Sequence, residues 1–461
     1  MKRVATILAL TLLAGAASAQ GFGFGDAAEA GPSGPGATRS RRESPEVSVS
    51  AEVTAEASAF ADDLESPSAL REAKLGDFFS GSLSFSASGS NAEIAVGLDV
   101  APAGEGESPV SIDEAYARAY WGKLDLEAGI RKLNWGKADS ASVLDVANPA
   151  DLSDLTVTDS LDRKIARPML HASLSLGDFT RLEGVFEPSF EGNSYDLEGR
   201  WKPRQVESLP GRIISAVNPL VAANPAFQAA LSTADVAFPD TSALKYSQYG
   251  LRLTTTLGSS DFGLQYWCGN LQKPAIYVTG YEGDASGLAV HVDYNRYHQI
   301  GADWASVVAT INARAEIAAN VTEDLAGDDG SVYNPAVLWS LGFDRDLVAG
   351  VNLNAQGSGS IRLMDDKVSD AIGDAEADTS ATKTTVTAKL SRKFMKDEFE
   401  IGLAGLWGIE DRDFLAMPSL VWSKGDTEVE LSGGIFGGDR DGELGYFDDN
   451  DYVSLSLTCK F

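Results

Sequence analysis

Residues that build metal and catalytic centres are scarce in this chain. Its 461 residues include two cysteines, three histidines and five methionines. His171, His291 and His298 stand at no metal-ligand spacing with cysteine or glutamate, so no zinc site is expected. None lies in a Ser-x-Ser or Gly-x-Ser-x-Gly setting that would pair a nucleophile with a base, and His298 reads as a strand-end interfacial residue. Neither enzymatic activity nor a cofactor is therefore expected. Cys268 and Cys459 both fall on the apolar parity of strands far apart in sequence, which reads as two small apolar residues rather than a disulfide. Positive charge is also short, with 37 basic against 67 acidic residues and a formal charge of -30; nucleic acid, whose phosphates need a basic surface, is excluded as a partner. After the first twenty residues no stretch approaches eighteen uninterrupted apolar residues. A chain of this kind crosses a membrane only as a closed barrel, because helices and barrels alone satisfy every backbone group in lipid.

The N-terminus reads as a secretory signal over residues 1–19. Lys2 and Arg3 give a basic start, Val4 to Ala16 an apolar run too short to span a bilayer, and Ala17-Ser18-Ala19 a small-residue cleavage site. Export through the Sec pathway is expected, with no lipid anchor because no cysteine follows the cleavage site. Residues 20–46, rich in Gly, Ala, Ser and Pro with Arg39, Arg41 and Arg42, read as a disordered lead-in.

From residue 47 to 461 the period is two. The last eleven residues alternate Val453, Leu455, Leu457, Cys459 and Phe461 with Tyr452, Ser454, Ser456, Thr458 and Lys460, the apolar-out, polar-in pattern of a transmembrane strand. This ending resembles the closing strand of bacterial outer-membrane β-barrels, in which a final aromatic after alternating apolar residues is the signal read by the barrel-assembly machinery. Phe461, Leu457 and Leu455 are the expected assembly signal here, with outer-membrane lipid and lipopolysaccharide as surroundings. The composition suits a barrel: 46 glycines for turns, and 8 Trp, 13 Tyr and 19 Phe for interfacial belts.

Twenty-one stretches carry the strand pattern, and an all-β, antiparallel transmembrane barrel of about 18 strands (16 to 20) is expected, since a bacterial single-chain barrel needs an even number. The segments 49–60 and 194–201 are the least secure of them. Tight turns such as Trp121-Gly122-Lys123, Gly258-Ser259-Ser260 and Lys424-Gly425-Asp426 alternate with long polar connections, as the two ends of a barrel would. One hairpin fixes the parity: Ala115, Ala117 and Ala119 alternate with Glu114, Tyr116, Arg118 and Tyr120, and Leu124, Leu126 and Ile130 with Asp125, Glu127 and Arg131. Glu114, Tyr116, Arg118, Glu127 and Arg131 are expected to line the lumen. Acidic stretches at 328–329, 365–378 and 439–451 read as solvated loops, or as cation-holding loops at the barrel mouth.

Two stretches break the pattern. Residues 203–245 include the Ile213, Ile214, Val217, Leu220 and Val221 spacing of short helices broken at Pro219 and Pro225, an external loop that folds over or into the barrel as a lid or constriction, or rests on the membrane surface. Residues 132–166 exceed a turn's needs and contain Trp135 and the run Asp145-Val146-Ala147-Asn148-Pro149-Ala150-Asp151-Leu152. Asp145 and Asn148 close turns, Pro149 holds its neighbour out of the α region, and Arg163, Lys164 and Arg167 follow as cationic partners for the acids. The expectation is an inward loop that constricts the pore, with Asp145, Asn148, Pro149 and Asp151 held against those cations.

The segments Glu114-Ala115-Tyr116, Gly129-Ile130-Arg131-Lys132-Leu133-Asn134-Trp135-Gly136, 145–152, Arg167-Pro168-Met169 and Leu182 to Phe190 resemble an uncharacterised family of Gram-negative outer-membrane porin-like barrels, distantly similar to alginate-export porins. The resemblance covers about 80 residues of the first half; the family's usual Gln after Gly-Arg is replaced, with Ile130-Arg131-Lys132 following Gly129. It implies an outer-membrane pore or transporter with no named solute. A channel for small solutes is the leading expectation, its selectivity set by lumen charge and the inward loop. A transporter of hydrophobic compounds, suggested by the apolar segment 213–231 and a likeness of Asn148-Pro149-Ala150 to the Asn-Pro-Ala box of outer-membrane fatty-acid transporters, is one alternative; a surface adhesin is another. Oligomeric state is not legible.

Overall fold

The computed structural model describes residues 46–61, 78–102, 108–205, 239–280, 289–377 and 379–461, with scattered positions between 207 and 237. The signal and lead-in expectations for residues 1–45 lie outside the described residues, as does most of the helical segment around 213–231; Arg204, Gln205, Gly211 and Arg212 are helical.

In chain order the strands are β1 (Glu46–Phe60), β2 (Phe79–Ser88), β3 (Ala92–Val100), β4 (Val110–Trp121), β5 (Leu124–Arg131), β6 (Asp151–Leu152), β7 (Arg167–Ser175), β8 (Thr180–Glu187), β9 (Ser194–Tyr195), β10 (Val236–Ala237), β11 (Gln248–Leu257) and β12 (Ser260–Asn270). There follow β13 (Ala275–Thr279), β14 (Ala289–Asp293), β15 (Arg296–Val308), β16 (Ile311–Thr322), β17 (Ala336–Asp346), β18 (Val351–Arg362), β19 (Thr382–Phe394), β20 (Phe399–Gly408), β21 (Asp413–Lys424), β22 (Thr427–Gly438) and β23 (Tyr452–Lys460). Eighteen of these form one antiparallel sheet, each paired with the next barrel strand along the chain. The ring closes where β1 meets β23, Glu52 opposite Lys460 and Phe60 opposite Tyr452.

Three of the 21 expected strands are not barrel strands. Only Ser194–Tyr195 of 194–201 is extended, and it pairs in parallel with β6. The stretches at 274–282 and 287–296 form β13 and β14, a hairpin within the connection between β12 and β15. Five residues cannot cross a hydrocarbon core that needs nine to eleven, so alternation there has another cause: one face of each packs against other loops, burying Ile276, Val278, Val290 and Val292. Segment 49–60, the other insecure one, lies in β1, a barrel strand of 15 residues.

Adjacent residues show why the ring stands in lipid. On β15 the Gln299 side chain is 0% exposed and its neighbour Ile300 is 62% exposed; one faces in, the other out. Leu170, Leu251, Leu264, Ile317, Leu341 and Leu455 continue the outward apolar band. Aromatic groups belt it at both rims. Trp121 and Phe179 stand beside the short turns, while Tyr249, Tyr266 and His298 cluster at the other rim, with the Tyr266 hydroxyl 2.8 Å from His298 Nδ1. The turn 409–412 between β20 and β21 lies at the long-connection rim, and the other short turns lie at the opposite one. Gly122, Gly258 and Gly425 hold φ near +60° there, which a two-residue hairpin requires and a side chain resists. Both cysteines are reduced. Cys268 is buried under Arg296, whose guanidinium donates to Sγ at 3.3 Å.

Candidate functional site

An 18-strand ring is too wide for its own side chains to fill. The connection between β5 and β7, residues 132–166, occupies part of that space. Its base is a clip around Asn148. The Asn148 Oδ1 accepts from the Leu133 N–H at 2.7 Å, and Nδ2 donates to the carbonyls of Arg131 at 2.8 Å and Ile165 at 3.0 Å. Lys164 pairs with Asp145 at 2.6 Å and donates to the Leu133 carbonyl at 2.6 Å. Pro149 accepts from the Ile165 N–H at 2.9 Å. Asp151 accepts from the Ser153 hydroxyl and N–H, at 2.6 and 2.9 Å. Arg163, 2% exposed, donates from Nε to the Val157 carbonyl at 2.5 Å; burial pulls its guanidinium down to about 10, with Asp154 and Asp151 acting against that. Arg167 pairs with Glu191 on the next connection. Among the acids of this segment, Asp145 pairs with Lys164.

Beyond the clip, residues 137–145 cross the lumen and lie along the far wall. One wall residue after another takes hold of their backbone. Gln265 on β12 donates to the Leu144 carbonyl at 2.7 Å, and Gln299 on β15 to the Val143 carbonyl at 3.1 Å. Glu316 on β16 accepts from four donors: the N–H groups of Lys137, Ala138 (2.8 Å) and Val143 (2.9 Å), and the Ser142 hydroxyl (2.8 Å). Gln356 on β18 accepts from Asp139 and Ser140 at 3.1 and 3.2 Å and donates to the Ala141 carbonyl at 2.8 Å. The Ser140 and Thr387 hydroxyls meet at 2.8 Å on β19. Asp139 pairs with Arg314 and accepts from Asn354 at 2.8 Å; burial raises its carboxyl above the usual range, against the pull of Arg314.

Steric room is prepared for the crossing. A Cβ on Gly301 would stand 2.2 Å from the Leu144 side chain, and Gly136, at φ +99°, leaves space for Ser142 and Glu316. Trp135 is buried edge-on to Trp267, their rings 5.9 Å apart at 89°.

Opposite the crossing lies the charged hairpin. Arg118 pairs with Glu127 at 2.7 Å, Arg131 with Glu127 and, at 3.5 Å, with Glu114; the Arg131 guanidinium stacks 4.2 Å over the Tyr116 ring. His171 stands 3.5 Å from Glu127 and 3.6 Å from Glu183. Cross-strand pairing sets Arg118 against Glu127 and Ala119 against Leu126, the two parities of the hairpin. A second connection also turns inward: Trp201, after β9, packs together with Leu155 of the first connection on the lumen face of β20–β22, against Leu406, Leu415 and Phe436 and against Phe447 from the connection after β22. Leu455 and Leu457 face outward on β23, and the Phe461 backbone exchanges hydrogen bonds with Ala51 at 2.8 and 3.1 Å.

Gln265, Gln299, Glu316 and Gln356 are absent from the residues read from sequence. They share one mark there: each is a long polar side chain on lumen parity, two residues from a small one, namely Gly263, Gly301, Ala318 and Ser358.

Fold and lumen define a membrane-spanning, antiparallel barrel similar to outer-membrane porins. The chain belongs to the family described as a protein of unknown function (DUF1302), whose model matches residues 85–390. No curated protein matches it. Among solved structures it is similar to Acinetobacter baumannii OccAB4, at 9% identity over 91% of this chain and 98% of that one, with a TM-score of 0.50. It is also similar to Wzi of Escherichia coli, an outer-membrane carbohydrate-binding β-barrel involved in group 1 capsule assembly, at 11% identity over 89% and 84% with a TM-score of 0.45. The outer membrane channel DcaP of Acinetobacter baumannii matches at 10% identity over 90% and 97%, with a TM-score of 0.42. At such identities the likeness is one of fold.

Proposed function

We propose that this protein is an outer-membrane channel for small solutes, reached by Sec export, in which segment 132–166 is the constriction and the charged hairpin of β4 and β5 faces the solute. The observation that carries the reading is the crossing at 137–145: a connection tethered to the far wall by Gln265, Gln299, Glu316 and Gln356 narrows an otherwise wide bore. Arg118, Glu127 and Arg131 then set the field at the narrowed level, and their mutual pairing keeps the side chains from collapsing into the passage. The refolded protein in a planar bilayer should give discrete current steps; a barrel that inserts fully and stays silent under all voltages would refute the reading.

A second reading, passage of apolar compounds, is favoured by one feature, the apolar lumen patch of Leu406, Leu415, Met417 and Phe436. Trp201 and Phe447 fill that patch, so it serves first as a seat for the second inward connection. Block of the current by hydrocarbons but not by polar solutes would favour this second reading over the first.

A further inference from the structure

At the long-connection rim a cavity of about 750 Å3 opens above β16–β19, within the size range of small-molecule sites. Lys273, in the connection after β12, stands in its wall. The ammonium lies 3.8 Å from the centroid of the Tyr333 ring. Tyr333 is itself fixed: it is buried, its hydroxyl donates to the Pro274 carbonyl at 2.9 Å, and its N–H donates to Asn295 at 3.0 Å.

The nearby carboxylates are already engaged. Glu376 pairs with Arg362 at 3.5 Å and accepts the Asn334 N–H at 2.8 Å, while Glu443 pairs with Lys383. Among the described residues no carboxylate comes within ion-pair distance of Lys273, whereas Arg362 pairs with Asp365 as well as Glu376 and Lys383 lies 3.7 Å from Asp411 as well as pairing with Glu443. A cation set into a wall without its own counter-charge is costly, and the cation–π contact offsets only part of that cost. Burial pulls the ammonium down to about 8, which leaves it mostly protonated at neutral pH. Leu271, Ile276 and Val278 give the same cavity an apolar face.

We propose that this vestibule binds a small carboxylate with an apolar body, the carboxylate completing Lys273 and the body lying along Leu271, Ile276 and Val278. As a statement of what is transported it rests on the channel reading; as a statement of binding it does not. The test is calorimetry on the full chain folded in detergent, with benzoate and benzylamine as probes, beside benzoate block of bilayer current. Benzoate should bind and benzylamine should not. Lys273→Gln should weaken benzoate roughly tenfold or more, and Lys273→Arg should stay within about threefold of the parent, as loss or retention of a charge-assisted bond requires. Absence of benzoate binding, equal binding of benzylamine, or equal affinity in a folded Lys273→Gln variant would overturn the proposal. If Lys273→Gln does not fold, the benzoate–benzylamine contrast in the parent protein decides alone. A silent bilayer would refute the channel reading while calorimetry still answers for this site.

Discussion

The two halves of the barrel wall use one alternation for different ends. From β12 to β19 the lumen side chains at mid-height are buried, with Gln265, Gln299, Glu316 and Gln356 all at most 4% exposed because the crossing segment covers them. On β1 and β2 the lumen side chains include Ser48, Ser50 and Ser84, which are exposed among the described residues. Ser50 stands directly across from Ser84. Lumen parity therefore specifies polarity and not role: long amides and an acid beside small residues reach the backbone of the crossing, while hydroxyls occur on both walls, bare at Ser50 and covered at Ser358 and Thr387. The physical reason is hydrogen-bond demand, since a backbone laid across the lumen loses water on one side and needs donors and acceptors of the right reach in its place.

Thiol accessibility should break this comparison most sharply. In a background lacking Cys268 and Cys459, cysteine at Ser50 should react with a water-soluble reagent, cysteine at Gln299 should not, and cysteine at Ile300 should take a lipid-phase reagent. Equal aqueous labelling at 50 and 299 would mean that the covered half is not covered. Within the charged hairpin, aqueous labelling at Arg118 and lipid labelling at Leu126 are expected on the same grounds, because a one-residue slip would exchange them.

Next in size is Glu316→Ala. Four donors lose their acceptor, and charge-assisted bonds are worth about 1.5–3 kcal/mol each before water replaces them, so the attachment of the crossing should weaken by roughly 3 kcal/mol or more. The measurable outcome is a noisier, larger single-channel current from a barrel that still migrates as folded. Ser50→Ala on the bare wall is the matching control, with stability expected to stay within about 0.5 kcal/mol and conductance unchanged.

Much of this architecture is legible in the sequence, and the part that is not has a common cause. Strand parity is local, so Val453, Leu455 and Leu457 and the Arg118–Glu127 ladder could be placed from period two alone. The Asn148 clip is also local, since its partners Arg131, Leu133 and Ile165 lie within 17 residues. The anchors of the crossing are not local. Glu316 and Gln356 meet it from more than 170 residues away, and no spacing rule within the segment points to them. For the same reason Arg314, which reaches Asp139 from β16, is not legible among the cations nearest in sequence. The β13–β14 hairpin misleads in another way, because burial against loops produces the same alternation as burial in lipid and only its length tells them apart.

The most direct test of the account is the conductance of a variant lacking residues 138–160, which removes the crossing and leaves the β5 and β7 strands joined by a short connection. If the crossing is the constriction, the variant folds and inserts and its single-channel conductance rises well above that of the parent. A barrel that inserts as well as the parent and conducts the same current would place the constriction elsewhere and contradict it.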